Sequence, residues 1–97
     1  MATPEKTIVK KVMAEAKRQG WWVLNVHGGP YQMAGLPDLL VIKQGRAAWM
    51  EVKVPGKDPT RLQQHRIREI IEDAGCPATV VRSVGDAKEF LEAIDEA

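Results

Sequence analysis

The chain has a single cysteine, Cys76. One thiol closes no disulfide within a chain and builds no thiolate metal cluster, so Cys76 reads as a buried or idle thiol. Long apolar runs are missing as well. The longest aliphatic stretch, Leu39-Leu40-Val41-Ile42, falls far short of the ~20 residues that a helical membrane span needs, and Met1 to Lys6 has no apolar segment of the signal-peptide kind. An intracellular, cytoplasmic protein with no membrane association is the expectation. There are no internal repeats, no low-complexity tract and no linker that would split the chain. Ninety-seven residues therefore make one domain, 1–97, around one modest core.

The chain also has little excess charge, a net of +1, and its balance of 44% hydrophobic and 28% charged residues is that of an ordinary globular protein. The charges are nevertheless segregated. Lys43 to Arg68 holds seven basic and two acidic residues, and Glu69 to Ala97 two basic and eight acidic. Distant charges are screened beyond roughly 8 Å at physiological salt, so a basic middle third can bind phosphate despite an acidic tail. Solvated surface faces would give the same counts.

Local signals give the order αβββαβα. Thr3 before Pro4 reads as an N-cap and first helical residue, and Gly20 closes a helix over 4–19 whose inward residues are Ile8, Val9, Val12, Met13 and Ala16. Trp21 to Val26 reads as a strand. His27 to Pro37, rich in glycine and proline and without a period, reads as a loop of functional length. Leu39 to Ile42 and Ala47 to Val54 read as strands joined by a turn. Thr60 caps a helix that runs to Ala74 with Gly75 behind it, Ala78 to Arg82 reads as a strand, and Ser83 with Asp86 opens a last helix. The fold class is α/β (α+β), a mixed central sheet flanked by helices.

The chemistry comes from the turn. With a two-residue hairpin loop of Gln44-Gly45, Lys43 faces Arg46, and counting outward brings Asp38 opposite Glu51. Cross-strand partners have Cβ atoms about 4.5 to 5.5 Å apart, where two carboxylates repel and ask for a cation. Without one, the pKa of the pair should rise and stability should fall. Lys53 lies on the same face, about 6.7 Å further along. One more residue in the turn would shift every partner. Oxygen ligands of this kind suit Mg²⁺ or Mn²⁺ rather than zinc, and His27 and His65 read as surface or core residues. Such a centre hydrolyses phosphodiesters. Taken alone, Glu51 and Lys53 are also what the solvent face of an amphipathic strand carries.

Two polar residues head apolar helical stripes that are expected to face the sheet: Glu5 before Val9, Val12 and Ala16, and Gln63 before Ile67, Ile70 and Ala74. Glu5 equally complements the helix dipole, and Gln63 equally reads as a partly exposed first-turn residue.

The run Gly35-Leu36-Pro37-Asp38, then Glu51-Val52-Lys53, then Gln63 resembles the virus-type replication-repair nuclease domain (VRR-NUC) of the PD-(D/E)xK superfamily. The resemblance extends from Glu5 to Ser83 and implies a restriction-endonuclease-like fold. It implies that Asp38, Glu51, Val52 and Glu5 serve the metal, that Lys53 is the catalytic lysine, and that Gln63 and Glu5 complete the site. It further implies Mg²⁺- or Mn²⁺-dependent cleavage of DNA, branched DNA as substrate as in Holliday junction resolvases, a homodimer, and a bacterial or phage-infected cell. Arg61 stands where relatives often carry proline. Lys10, Lys11, Lys57 and Arg61 are the expected phosphate contacts, each equally readable as surface charge. The competing readings are a DNA-binding module of nuclease ancestry that no longer cuts and an α/β interaction module.

Overall fold

The computed structural model describes residues 3–27 and 33–97. Helix α1 spans Pro4–Arg18, where the Thr3 hydroxyl accepts from the Lys6 N–H at 3.2 Å and Gly20, at φ +91°, lets the chain turn away. The strands are β1 (Trp22–Asn25), β2 (Leu39–Lys43), β3 (Arg46–Val52) and β4 (Ala78–Val81). Helix α2 spans Arg61–Arg68 and runs into a π-helical turn over Glu69–Asp73, and α3 spans Val84–Glu96. The element order is the expected one. Strand β1 is one residue shorter at each end than its sequence pattern suggests, with Trp21 turned into the core, and β3 starts one residue earlier and ends at Val52 rather than Val54, the Lys53 N–H still donating to the Val81 carbonyl. The middle of the expected loop, residues 28–32, lies outside the described residues.

The four strands stand in the order β1-β2-β3-β4, antiparallel for β1/β2 and β2/β3 and parallel for β3/β4. A parallel pair needs a crossover, and α2 with its π-helical turn provides it. Gln44 and Gly45 have φ of +51° and +77°, as a type I′ turn requires. Lys43 therefore pairs with Arg46 and Leu39 with Met50, which puts Asp38 beside Glu51 at the next step. The predicted register holds.

One sheet face carries Leu39, Val41, Met50, Val52 and Val81, and it closes on Val12 and Ala16 of α1 and Ala87 and Leu91 of α3. The stripe headed by Glu5 is thus inward-facing: Val9 packs on the core, Val12 and Ala16 are buried, and Glu5 is half-buried. The stripe headed by Gln63 is only half-buried at Gln63, Ile67 and Ile70. Neither α2 nor the π-helical turn buries a residue, and Ala74 is exposed. The period changes within the turn, where the Ala74 N–H bonds to the Glu69 carbonyl, five residues back, so Ala74 leaves the stripe that a 3.6-residue period projects.

The run Trp21 to Leu24 divides by strand alternation. Trp21 is 3% exposed and Val23 packs on the core, whereas Trp22, at 55%, and Leu24 point away from it, on the sheet face that also carries exposed Ile42. No helix of the described residues is long and apolar enough to cross a membrane.

Candidate metal centre

Asp38 is placed by both of its neighbours in the sheet. Its carbonyl accepts from the Val26 N–H at 2.9 Å, extending the β1/β2 ladder, and its Oδ2 accepts from the Val52 N–H at 2.7 Å, tying it to the end of β3. The segment before it is clamped to α2, where Arg66 Nε donates to the Ala34 carbonyl at 3.0 Å and Pro37 is fully buried. Gly35 makes that approach possible. It sits at φ +83°, and a Cβ there would lie 2.7 Å from Leu62 Cγ and 3.1 Å from the Leu62 carbonyl oxygen. Gly35→Ala should accordingly destabilise the fold by about 1–3 kcal/mol through strain and overpacking. Thermal or urea unfolding checks this, and an unchanged midpoint would show that the clamp is loose.

Glu51 stands on β3 beside Asp38 and is only 1% exposed. Its Oε2 is buried with no hydrogen-bond partner among the described residues. Burial first, then the hydrogen bond and the charge of Asp38, push its pKa up to about 9, with Glu5 adding to the rise and Lys53 opposing it. The expected rise within the carboxylate pair is thus found at Glu51. A buried carboxylate with an orphaned oxygen is costly unless a cation meets it.

A third group enters this pair. His27 Nε2 lies 2.5 Å from Asp38 Oδ1, and one donor atom each of His27, Asp38 and Glu51 fall within 4.8 Å of one another. His27, expected as a surface or core residue, is exposed at the surface and at the same time faces the carboxylates. The β1/β2 ladder puts Val26 against Asp38, so the next residue reaches past the strand end, and the Asn25 Oδ1 holds the His27 N–H at 3.0 Å. His65 instead lies on α2 near Glu69, away from the carboxylate pair. Two oxygens and one nitrogen, one of the oxygens buried and unsatisfied, form a donor set that can hold a divalent cation.

The other predicted residues divide into two groups. Glu5 and Lys10 line a cleft of about 600 Å³ together with His27, Asp38, Asn25 and Lys6, so they share the opening that reaches Asp38. Lys6 was not among the expected phosphate contacts. Lys53 continues the parallel pairing, its N–H donating to the Val81 carbonyl at 3.0 Å, and its charge acts on Glu51. Val52 touches Asp38 through its backbone N–H. Lys11 lies on another side of α1, near Glu15 and Val84. Lys57 and Arg61 are exposed, and the Lys57 carbonyl is held by Arg82 at 3.0 Å. Gln63 is engaged locally: its Oε1 accepts from the Thr60 N–H at 2.8 Å while the Thr60 hydroxyl accepts from the Gln63 N–H. Thr60-x-x-Gln63 is itself a capping-box pattern, and this was the signal for that role.

Among solved structures, one titled "VRR_NUC domain" superposes with a TM-score of 0.75 at 27% identity, covering 94% of this chain and 97% of its own. A second, titled "VRR_NUC domain protein", superposes with a TM-score of 0.72 at 22% identity, covering 96% of this chain and 88% of its own. No family model matches the sequence, and no curated protein matches it.

Proposed function

On the premise that this chain shares the fold of the VRR_NUC domain over nearly its whole length, we propose that it is a divalent-metal-dependent deoxyribonuclease, using Mg²⁺ or Mn²⁺, that hydrolyses phosphodiester bonds in branched DNA. The observation that carries this reading is the orphaned Oε2 of a fully buried Glu51 beside Asp38, with Lys53 two residues on.

Asp38 and Glu51 hold the cation, with Glu5 at the mouth of the same cleft. When bound, the metal supplies positive charge against a phosphate oxygen and eases deprotonation of water. Lys53 places an ammonium beside the carboxylates, where it offsets negative charge as the phosphate becomes five-coordinate. The Val52 N–H fixes the Asp38 carboxylate, so its second oxygen keeps its direction. Lys6 and Lys10 border the cleft and attract the DNA backbone, with Lys57 and Arg61 as more distant phosphate contacts. Gln63 supports the site by starting α2, which clamps the segment leading to Asp38.

The test is a magnesium and manganese titration on linear, nicked, flapped and four-way DNA, with a chelator control. Metal-dependent cleavage with the four-way or flapped substrate preferred is the expected result. Binding of DNA without cleavage under any metal would leave a DNA-binding module instead.

Symmetric cutting of a four-way junction needs two centres at fixed spacing, and this chain carries one, so the active form is a C2 homodimer. The exposed sheet face of Trp22, Leu24 and Ile42 supports that assembly. Sedimentation at micromolar concentration should give a dimer that Trp22→Lys with Leu24→Lys dissociates. A wild-type monomer would instead point to a nickase or flap-type activity.

A further inference from the structure

We infer that His27 is a nitrogen ligand of this centre and that it tilts the site toward Mn²⁺ over Mg²⁺. The inference rests on the reading of Asp38 and Glu51 as metal ligands. It is carried by the placement of the His27 ring, whose nitrogen lies at hydrogen-bond distance from Asp38 Oδ1 and whose donor atom shares a 4.8 Å cluster with Glu51, and by a separate observation, that Glu51 Oε2 is buried without a hydrogen-bond partner among the described residues.

Imidazole does not approach this pair by accident of a long side chain. The Val26 N–H to Asp38 carbonyl bond at 2.9 Å and the His27 N–H to Asn25 Oδ1 bond at 3.0 Å fix the backbone that leads into the ring's attachment point. The ring also lines the cleft that Asp38 lines, and it is exposed there while Glu51 is buried behind it at 1% exposure.

The donor set then discriminates between metals. Mg²⁺ demands near-ideal octahedral oxygen coordination and gives up water reluctantly, so replacing one of its oxygens with imidazole is unfavourable. Mn²⁺ accepts carboxylates equally well and, as a first-row transition metal, also accepts a nitrogen ligand. Two carboxylates alone would discriminate little. The addition of His27 makes the centre Mn²⁺-selective.

The experiment is pulsed electron paramagnetic resonance on the full chain loaded with Mn²⁺, which reads ligand nitrogen directly and needs no turnover. Wild type should show nitrogen hyperfine coupling that His27→Gln removes and His65→Gln leaves intact. In parallel, competition of Mg²⁺ against Mn²⁺ by calorimetry should show the preference for Mn²⁺ falling by about tenfold in His27→Gln. Mn²⁺ bound in an Asp38-dependent manner but without nitrogen coupling would overturn the role of His27 and leave the carboxylate centre standing. Mn²⁺ that fails to bind, or that binds equally well to Asp38→Asn, would overturn both.

Discussion

Asp38→Asn, Glu51→Gln and Lys53→Ala should each lower the cleavage rate by about 10²-fold or more while leaving much of the DNA affinity in place. The magnitude is that of removing one preorganised charge from a water-poor site, for which losses of about 10²–10³ are typical. The separation of rate from affinity follows from where the groups sit. Glu51 is 1% exposed and Asp38 9%, so neither offers its surface to the DNA backbone. Lys6 and Lys10, on the rim of the cleft, should behave in the opposite way. Replacing both with alanine should weaken binding and flatten its dependence on salt, with a smaller effect on the rate of the bound complex. Single-turnover cleavage and a chelated binding assay separate the two classes. Full activity in purified Asp38→Asn would remove the carboxylate pair from the mechanism.

The second large effect concerns stability in the absence of metal. Glu51 has its pKa raised from 4.5 to about 9, chiefly by burial and then by Asp38. A carboxyl raised in the folded state binds its proton more tightly there than in the unfolded chain. Its contribution to stability is therefore complete below about pH 4.5 and is lost as the pH climbs toward about 9. Glu51→Gln removes the titration and gives Asp38 an amide donor. Relative to wild type, the variant should gain stability with rising pH, on the order of 1–3 kcal/mol at the alkaline end, while its cleavage rate should fall. Excess divalent cation should raise the melting temperature of wild type and leave that of the variant nearly unchanged. Melts at pH 5 and pH 8, with chelator and with metal, decide this. Parallel pH profiles for the two proteins would show that Glu51 is not held protonated by its surroundings. From the pairing alone, neutralising either carboxylate, Asp38→Asn included, should relieve the repulsion. The structure singles out Glu51 for the larger gain, because Asp38 already has the Val52 N–H and His27 as partners while Glu51 has a buried oxygen with none among the described residues.

Local rules were enough for everything that lies within one turn or one hairpin. Thr3-Pro4, Thr60 and Ser83 start their helices because capping is a contact over three residues. Gln44-Gly45 determined the β2/β3 register, since a two-residue turn with both φ positive leaves no freedom for a slip, and that register brings Asp38 beside Glu51. Those two residues and Lys53 were legible for this reason. His27 was not. Between β1 and β2 lie thirteen residues, 26–38, and a connection of that length does not specify which residue faces which. Only the folded sheet, by setting Val26 against Asp38, carries an imidazole to the carboxylates. Gln63 shows the reverse: its spacing matched an inward stripe, but the tertiary structure leaves it half-buried with its side chain in the Thr60 capping box, and the π-helical turn changes the period that the stripe assumed. Periodicity along a chain tells which face a residue shares with its neighbours, and only the packing of that face against another element decides whether it is buried, exposed or part of a site.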